Sequence, residues 1–136
     1  MIEGTITILT AFHGEHCWQF SIADDHLLVC YNFDNKKIEV VAEGPHIKKF
    51  FNNYELQVLC GSKPKGGVDG VVVRYQIRDS LKLYEASIWS PKKKHGSYFD
   101  IIAILLKVGV EYCVELQEHI QNISAYIPGI DANGTN

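Results

Sequence analysis

Residues 17–42 read CWQFSIADDHLLVCYNFDNKKIEVVA, and this stretch decides the fold. Apolar and polar residues alternate within three short runs, so that Trp18 and Ile22 share one face of the first run. Alternation with a period of two is typical of strands that bury one face. The pairs Asp24–Asp25 and Asp34–Asn35 separate the runs, and connections this short join antiparallel neighbours. The stretch therefore predicts three consecutive antiparallel strands.

Further strand patterns lie on both sides of this stretch. Residues 5–12 form such a run before it, and alternation returns after it at residues 54–60, 71–77 and 81–89. Gly44-Pro45 ends the fourth strand and begins a short helix, because proline suits the first helical position. The sequence thus predicts about seven strands, with a short helix after the fourth.

The C-terminal part carries a helical pattern instead. Apolar residues, Tyr112 among them, recur at spacings of three and four from Ile101 to Ile123, which predicts one long helix over Tyr98–Ser124 with this stripe packed on the sheet. The first half is also apolar on the opposite side, at Ile102, Leu106, Val110 and Val114. Such a helix either lies in a deep groove of the fold or contacts a partner, which includes a homodimer through this helix. We expect one domain over residues 1–127 and a flexible tail over residues 128–136.

The order of these elements predicts an α+β fold. An antiparallel curved sheet, or a partly open barrel, is closed by the C-terminal helix. This order resembles that of pleckstrin-homology-type barrels, and it is also similar to that of Whirly-type sheets, which bind single-stranded nucleic acid. Both resemblances concern the element order and no residue motif, so they imply ligand classes but assign no site residue.

Composition and charge set further limits. The chain has 136 residues, of which 46% are hydrophobic and 21% are charged. Such a chain can bury one core, which excludes an intrinsically disordered or low-complexity protein. The 13 Lys and Arg and the 16 Asp and Glu give a net charge of −3. Residues 61–95 hold eight of these basic residues and three acidic ones, so a basic segment lies between acidic ends.

No complete catalytic or cofactor motif occurs in the sequence. It contains neither G-x-S-x-G nor H-E-x-x-H, and the glycine-rich loop at residues 61–70 leads into a strand instead of the helix that a phosphate-binding loop requires. We therefore predict that the protein is not an enzyme and uses no cofactor and no metal ion. The alternative is a small hydrolase in which a Cys/His pair, such as Cys17 and His16, forms the site.

The cysteines and the apolar runs bear on the compartment. No C-x-x-C pair occurs, which argues against a zinc ribbon or a thioredoxin-type site. Cys30 and Cys60 fall within apolar runs and are predicted to be small core residues. The sequence begins directly with a strand pattern, so we expect reduced thiols and a cytoplasmic location. The apolar run at residues 101–106 is too short to cross a bilayer, so no membrane span is expected.

The first functional hypothesis is a domain that binds another protein and inhibits it. A small acidic domain of this kind resembles the immunity proteins that neutralise bacterial toxins, many of which present basic clefts. Charge complementarity would then drive rapid association with a basic toxin domain. The candidate contact residues are Asp24, Asp25, Glu111, Glu115, Glu118 and Trp89.

The second hypothesis is a module that binds single-stranded nucleic acid or a phosphoinositide through the basic segment. Cations interleaved with aromatic residues on strands suit a single strand, since bases stack and phosphates are neutralised. The candidate residues are Lys63, Lys65, Arg74, Arg78, Lys82, Lys92, Lys93 and Lys94.

Overall fold

A computed structural model describes most of the chain. The described residues are 2–10, 14–23, 25–33, 36–52, 71–91, 95–124 and 127. The strands are β1 (Ile2–Thr10), β2 (Gly14–Ala23), β3 (His26–Phe33), β4 (Lys36–Glu43), β5 (Val71–Asp79) and β6 (Lys82–Trp89). The helices are α1 (Pro45–Asn52), α2 (Ser97–Tyr112) and α3 (Gln117–Ser124). None of the helices in these ranges is long and apolar enough to span a lipid bilayer.

The strands form one open antiparallel sheet. Their order is β4-β3-β2-β1-β5-β6, and each neighbouring pair is antiparallel. The predicted α+β class, the antiparallel sheet and the helix after the fourth strand are confirmed. The predicted strand at residues 54–60 and the predicted tail at residues 128–136 lie outside the described residues. Within the described residues, β4 and β6 are the two edges of the sheet.

One face of the sheet carries the core. Trp18, Phe20 and Ile22 on β2 all point into it, as their alternation predicts. Helix α2 covers this face, and both its predicted apolar sides are buried at Ile102 and Leu106 as well as on the main stripe. A helix that is apolar nearly all round must be enclosed to remove that surface from water. The first half of the helix therefore lies in a groove of the fold.

Two tyrosines attach α2 to the sheet. The hydroxyl of Tyr75 on β5 donates a hydrogen bond of 2.9 Å to the carbonyl of Tyr98, and their rings meet edge to face. The hydroxyl of Tyr31 on β3 donates to the carbonyl of Leu105. Because the two bonds lie at the start and in the middle of α2, they fix the direction in which the helix crosses the sheet.

The predicted single helix over Tyr98–Ser124 is wrong in one respect. Helix α2 ends at Tyr112, Cys113 adopts an extended backbone with φ −146° and ψ 106°, and a short 3-10 turn at Val114–Leu116 leads into α3. The apolar spacing continues through the break, because Leu116 and Ile120 are also buried. Periodicity alone therefore did not reveal that the chain changes direction at Cys113.

Candidate protein-binding surface at the helix break

The break between α2 and α3 has a defined, hydrogen-bonded shape. The amide of Cys113 still donates to the carbonyl of Gly109 at 3.1 Å, and its carbonyl accepts from the amide of Leu116 at 3.1 Å. The side chain of Gln117 donates to the carbonyl of Val110 at 3.4 Å. The last carbonyls of a helix lack partners within it. These bonds satisfy two of them, those of Gly109 and Val110, and hold the turn in one conformation.

Gly109 permits the close approach of the two helices. A Cβ atom at this position would overlap the Cδ1 atom of Ile120 and would lie 3.4 Å from the ring of Tyr31. Ile120 is fully buried. Helix α3 therefore folds back onto α2 at the one residue of α2 that has no side chain in the way.

The change of direction exposes two large apolar side chains. Tyr112 is 48% exposed and Val114 is 80% exposed, although both belong to apolar sides of the predicted helix. The sequence assigned Tyr112 to the buried stripe, and that assignment is wrong because the helix ends at this residue. Val114 was predicted to face either a groove or a partner, and it faces solvent. Neighbouring exposed apolar residues of this kind suit a contact site.

Acidic residues flank this apolar pair along the chain. Glu111, Glu115 and Glu118, three of the predicted contact residues, are all exposed and lie on the same short segment of the chain. Residues 109–124 contain no Lys or Arg that would neutralise them. We call the group Glu111, Tyr112, Val114, Glu115 and Glu118 the helix-break surface.

Glu111 stands in an electrostatically unfavourable place. It lies in the last turn of α2, which contains no basic residue. The C-terminal end of a helix carries a partial negative charge, so a carboxylate there costs stability. Glu115 and Glu118 instead lie in the first turns of the 3-10 segment and of α3, where negative charge is favourable. A basic partner would offset the cost at Glu111.

The other acidic candidate that the structure describes lies elsewhere. Asp24 is outside the described residues, and Asp25 is in the turn before β3. The Asp25 carboxylate lies 2.7 Å from Nδ1 of His26, whose Nε2 lies 3.3 Å from the carboxylate of Glu43. Tyr31, which packs beside Gly109, is six residues further along β3, or roughly 20 Å at the usual rise of a strand. Asp25 therefore belongs to a different surface from the helix break.

The basic candidates are only partly placed. Lys63, Lys65, Lys92, Lys93 and Lys94 lie outside the described residues. Arg74 and Arg78 are exposed on the face of β5 that points away from the helices, and Lys82 begins β6. Trp89 is partly exposed on the same outer face of β6, in register with Val72. Arg74, Arg78 and Trp89 thus share the outer face of the sheet.

Acidic residues interrupt that outer face. Glu3 on β1 lies directly opposite Arg78, and Glu85 on β6 lies opposite Gln76 between the two arginines. Two positive and two negative groups therefore alternate over three strands. Nucleic-acid sites need an excess of positive charge along the path of the phosphates. The described part of this face does not provide one.

The predicted Cys/His site does not form from His16 and Cys17. His16 and Cys17 follow one another in β2, and successive side chains of a strand point to opposite faces. Cys17 is exposed on the outer face, so these two residues cannot act as nucleophile and base toward each other. Within the described ranges, no three His, Cys, Asp or Glu side chains are grouped so that they could hold a metal ion.

The outer face also contains a groove that sequence analysis missed. Its volume is about 310 Å³, and it lies over β2, β3 and β4. Its lining residues are Gln19, Phe20, Ser21, Leu28, Cys30, Lys37 and Glu39. Beside it the side chain of Asn32 donates to the carbonyl of Cys17 at 2.6 Å, beyond the last paired residues of β2 and β3. Cys30, which was predicted in the core, lines this groove because strand alternation turns it outward.

Comparisons with known proteins give no relative. No protein-family model, no curated protein and no solved structure matches this chain.

Proposed function

We propose that this protein is a non-enzymatic protein-binding domain whose contact site is the helix-break surface. The observation that supports this is the exposure of Tyr112 and Val114 inside a group of three glutamates. Protein interfaces typically have an apolar or aromatic centre and a polar rim, and tyrosine is common among the residues that dominate binding energy. The hydrogen bonds at the break add preorganisation, which lowers the entropic cost of association.

The chemistry of this surface favours a basic partner. Three carboxylates on a segment that contains no Lys or Arg attract a basic surface, and Tyr112 with Val114 requires an apolar depression on that surface. Charge complementarity accelerates association, whereas burial of the apolar pair slows dissociation. An inhibitor that occludes a basic cleft, as a toxin immunity protein does, is the specific form of the proposal.

A capture experiment followed by affinity measurement tests it. A photoreactive amino acid in place of Val114, introduced in the native cell, would crosslink the partner for identification by mass spectrometry. The purified partner is then titrated calorimetrically with the native chain and with Val114→Glu, Tyr112→Ala and a Glu111→Lys/Glu115→Lys variant. We expect each variant to weaken binding at least about tenfold, and the charge-reversed variant also to lose the salt dependence of the association rate.

The matched controls lie on the outer face of the sheet. Val41→Glu introduces a charge at another exposed valine, and Glu85→Lys reverses another exposed glutamate. Both should leave the affinity unchanged within about twofold, since they are remote from the site. Equal affinity for the native chain and the helix-break variants would overturn the proposal, as would controls that weaken binding as much as those variants do.

The runner-up function, binding of a single strand or a phosphoinositide, has narrower support. Arg74, Arg78 and Trp89 share the outer face of β5 and β6. Stacking on Trp89 and neutralisation by the arginines would be the expected contacts. The interleaved Glu3 and Glu85 oppose an anion, so the helix-break surface is the better supported site.

A further inference from the structure

The two edges of the sheet differ in chemistry. Edge strand β4 carries exposed Lys36, Lys37, Glu39 and Glu43. Charged edge residues, lysine above all, protect an edge from pairing with another chain. Edge strand β6 instead exposes Leu83 by 56%, leaves Tyr84 and Ala86 only partly buried, and ends at the partly exposed Trp89. Among the described residues, β6 pairs with β5 alone, and the backbone donors and acceptors on its other side meet no described strand.

The sequence of β6 is complementary to itself in one antiparallel register. A two-fold axis through Ala86 places Leu83 opposite Trp89 of the second copy on the outer face. On the inner face it places Tyr84 opposite Ile88, while Glu85 faces Ser87. Aromatic–aliphatic cross-strand pairs are stabilising, and here they form on both faces at once. No like charges are opposed in this register.

The neighbouring registers are worse. A shift of one residue turns the inner side chains to the outer face. A shift of two residues in one direction sets Glu85 directly opposite its own copy, which is destabilising. The opposite shift of two residues sets Ser87 opposite its copy and leaves Leu83 beyond the paired strand. The pairing about Ala86 is therefore the one that the strand specifies.

From these observations we infer that a second copy of this chain pairs with β6, so that the described strands of the two copies join into one continuous antiparallel sheet across a two-fold axis. This interface is separate from the helix-break surface. The end of α2 packs against β3, four strand spacings from β6, or roughly 19 Å. The dimer would thus present two copies of the helix-break surface, and its formation does not depend on the proposed function.

Two matched substitutions test the interface. Leu83 and Val41 are both 56% exposed on the outer faces of the two opposite edge strands. Sedimentation equilibrium of the native chain, Leu83→Glu and Val41→Glu over a wide concentration range gives the dimer dissociation constant of each. We expect Leu83→Glu to raise it at least about tenfold and Val41→Glu to change it less than about twofold. Circular dichroism confirms that each variant is folded.

A crosslink tests the register. In the proposed pairing the two copies of Ala86 lie directly opposite, at a Cα separation of about 4.5–5.5 Å that a disulfide can bridge. Ala86→Cys should therefore form a covalent dimer on mild oxidation. Glu85→Cys should not, because its two copies would lie diagonally, at roughly 7–8 Å. The native chain gives the background from its own cysteines.

Each result of these two experiments either supports or overturns the pairing of two β6 strands. A monomer at all concentrations overturns it, and so does a dimer that Val41→Glu weakens and Leu83→Glu leaves intact. A dimer that is sensitive to Leu83→Glu but crosslinks through Glu85→Cys instead of Ala86→Cys overturns the proposed pairing.

Discussion

Tyr31 donates its hydroxyl hydrogen to the backbone carbonyl of Leu105, and this bond joins β3 to the middle of α2 inside the core. Tyr31 is fully buried, and its ring also meets Trp18 edge to face, with 4.9 Å between the ring centroids. The same ring packs beside Gly109, one turn before the helix ends. The position of the exposed helix-break surface thus depends on the buried side chain of Tyr31.

We expect Tyr31→Phe to lower the free energy of unfolding by about 1 kcal/mol. The phenyl ring keeps the packing but lacks the hydroxyl that donates to this carbonyl, and a hydrogen bond of this kind contributes about that much. Urea denaturation followed by circular dichroism measures the change. Tyr112→Phe, which removes a half-exposed hydroxyl, should change stability by less than about 0.5 kcal/mol. Equal effects of the two substitutions would contradict the role of Tyr31.

Alkaline pH should destabilise the fold through its buried tyrosines. Burial raises the pKa of Tyr31 and of Tyr75 above the ordinary value near 10. Above pH 10 the unfolded chain loses protons that the folded chain keeps, so the free energy of unfolding falls as the pH rises. Each such tyrosine contributes a slope of about 1.4 kcal/mol per pH unit. The stabilisation is complete below pH 10.

The control for this pH dependence is the loss of one titrating group. In Tyr31→Phe the slope of unfolding free energy against pH, measured by urea titrations above pH 10, should be smaller by about 1.4 kcal/mol per pH unit. Ile77→Val, a buried substitution that removes no titrating group, should keep the native slope. An unchanged slope in Tyr31→Phe would show that this hydroxyl ionises in the folded protein.

The sheet could be predicted from sequence because each strand buries one face. Alternation at Trp18, Phe20 and Ile22 sets both the strand and its inner side, and a shift by one residue would expose all three. The strand order could not be predicted, since β1 pairs with β5, about seventy residues away. Alternation reports which face is buried, but it carries no information about which neighbour lies alongside.

Of the candidate site, only the acidic residues could be predicted from the sequence. Glu111, Glu115 and Glu118 follow from their spacing on a helical segment, whatever the path of the chain. The exposure of Tyr112 and Val114 depends on the break at Cys113, where buried residues continue at helical spacing on both sides. The one local signal is Gly109, because glycine in a helix interior costs about 1 kcal/mol and needs a reason. That reason, the contact with Ile120, is tertiary.

We expect single-stranded nucleic acid to leave the fluorescence of this protein unchanged. Trp18 is fully buried, so quenching on addition of oligothymidylate at low salt would report on Trp89. Glu3 and Glu85 among the arginines oppose the binding of phosphates. Saturable quenching that weakens steeply with salt and is lost in Arg74→Glu/Arg78→Glu would contradict this expectation and favour the nucleic-acid function. Glu85→Arg, which makes the face basic, serves as the positive control.

The contact between Gly109 and Ile120 should appear as strong coupling between two substitutions. Gly109→Ala places a methyl group where Cδ1 of Ile120 lies, and we expect it to lower stability by about 1–3 kcal/mol. This exceeds the gain of about 1 kcal/mol that alanine brings to a helix. Ile120→Val alone should cost about 0.5–1.5 kcal/mol, because it leaves a small cavity.

The double substitution distinguishes this steric account from general damage to the core. Valine lacks the Cδ1 atom, so Gly109→Ala/Ile120→Val should be more stable than the sum of the single effects predicts, by at least about 1 kcal/mol. Combined with Ile77→Val, which is buried in β5, Gly109→Ala should instead be additive within about 0.5 kcal/mol. Additivity in both pairs, measured by urea denaturation, would show that Ile120 does not require a glycine opposite it. The fold-back of α3 onto α2, and with it the exposure of Tyr112 and Val114, would then need another cause.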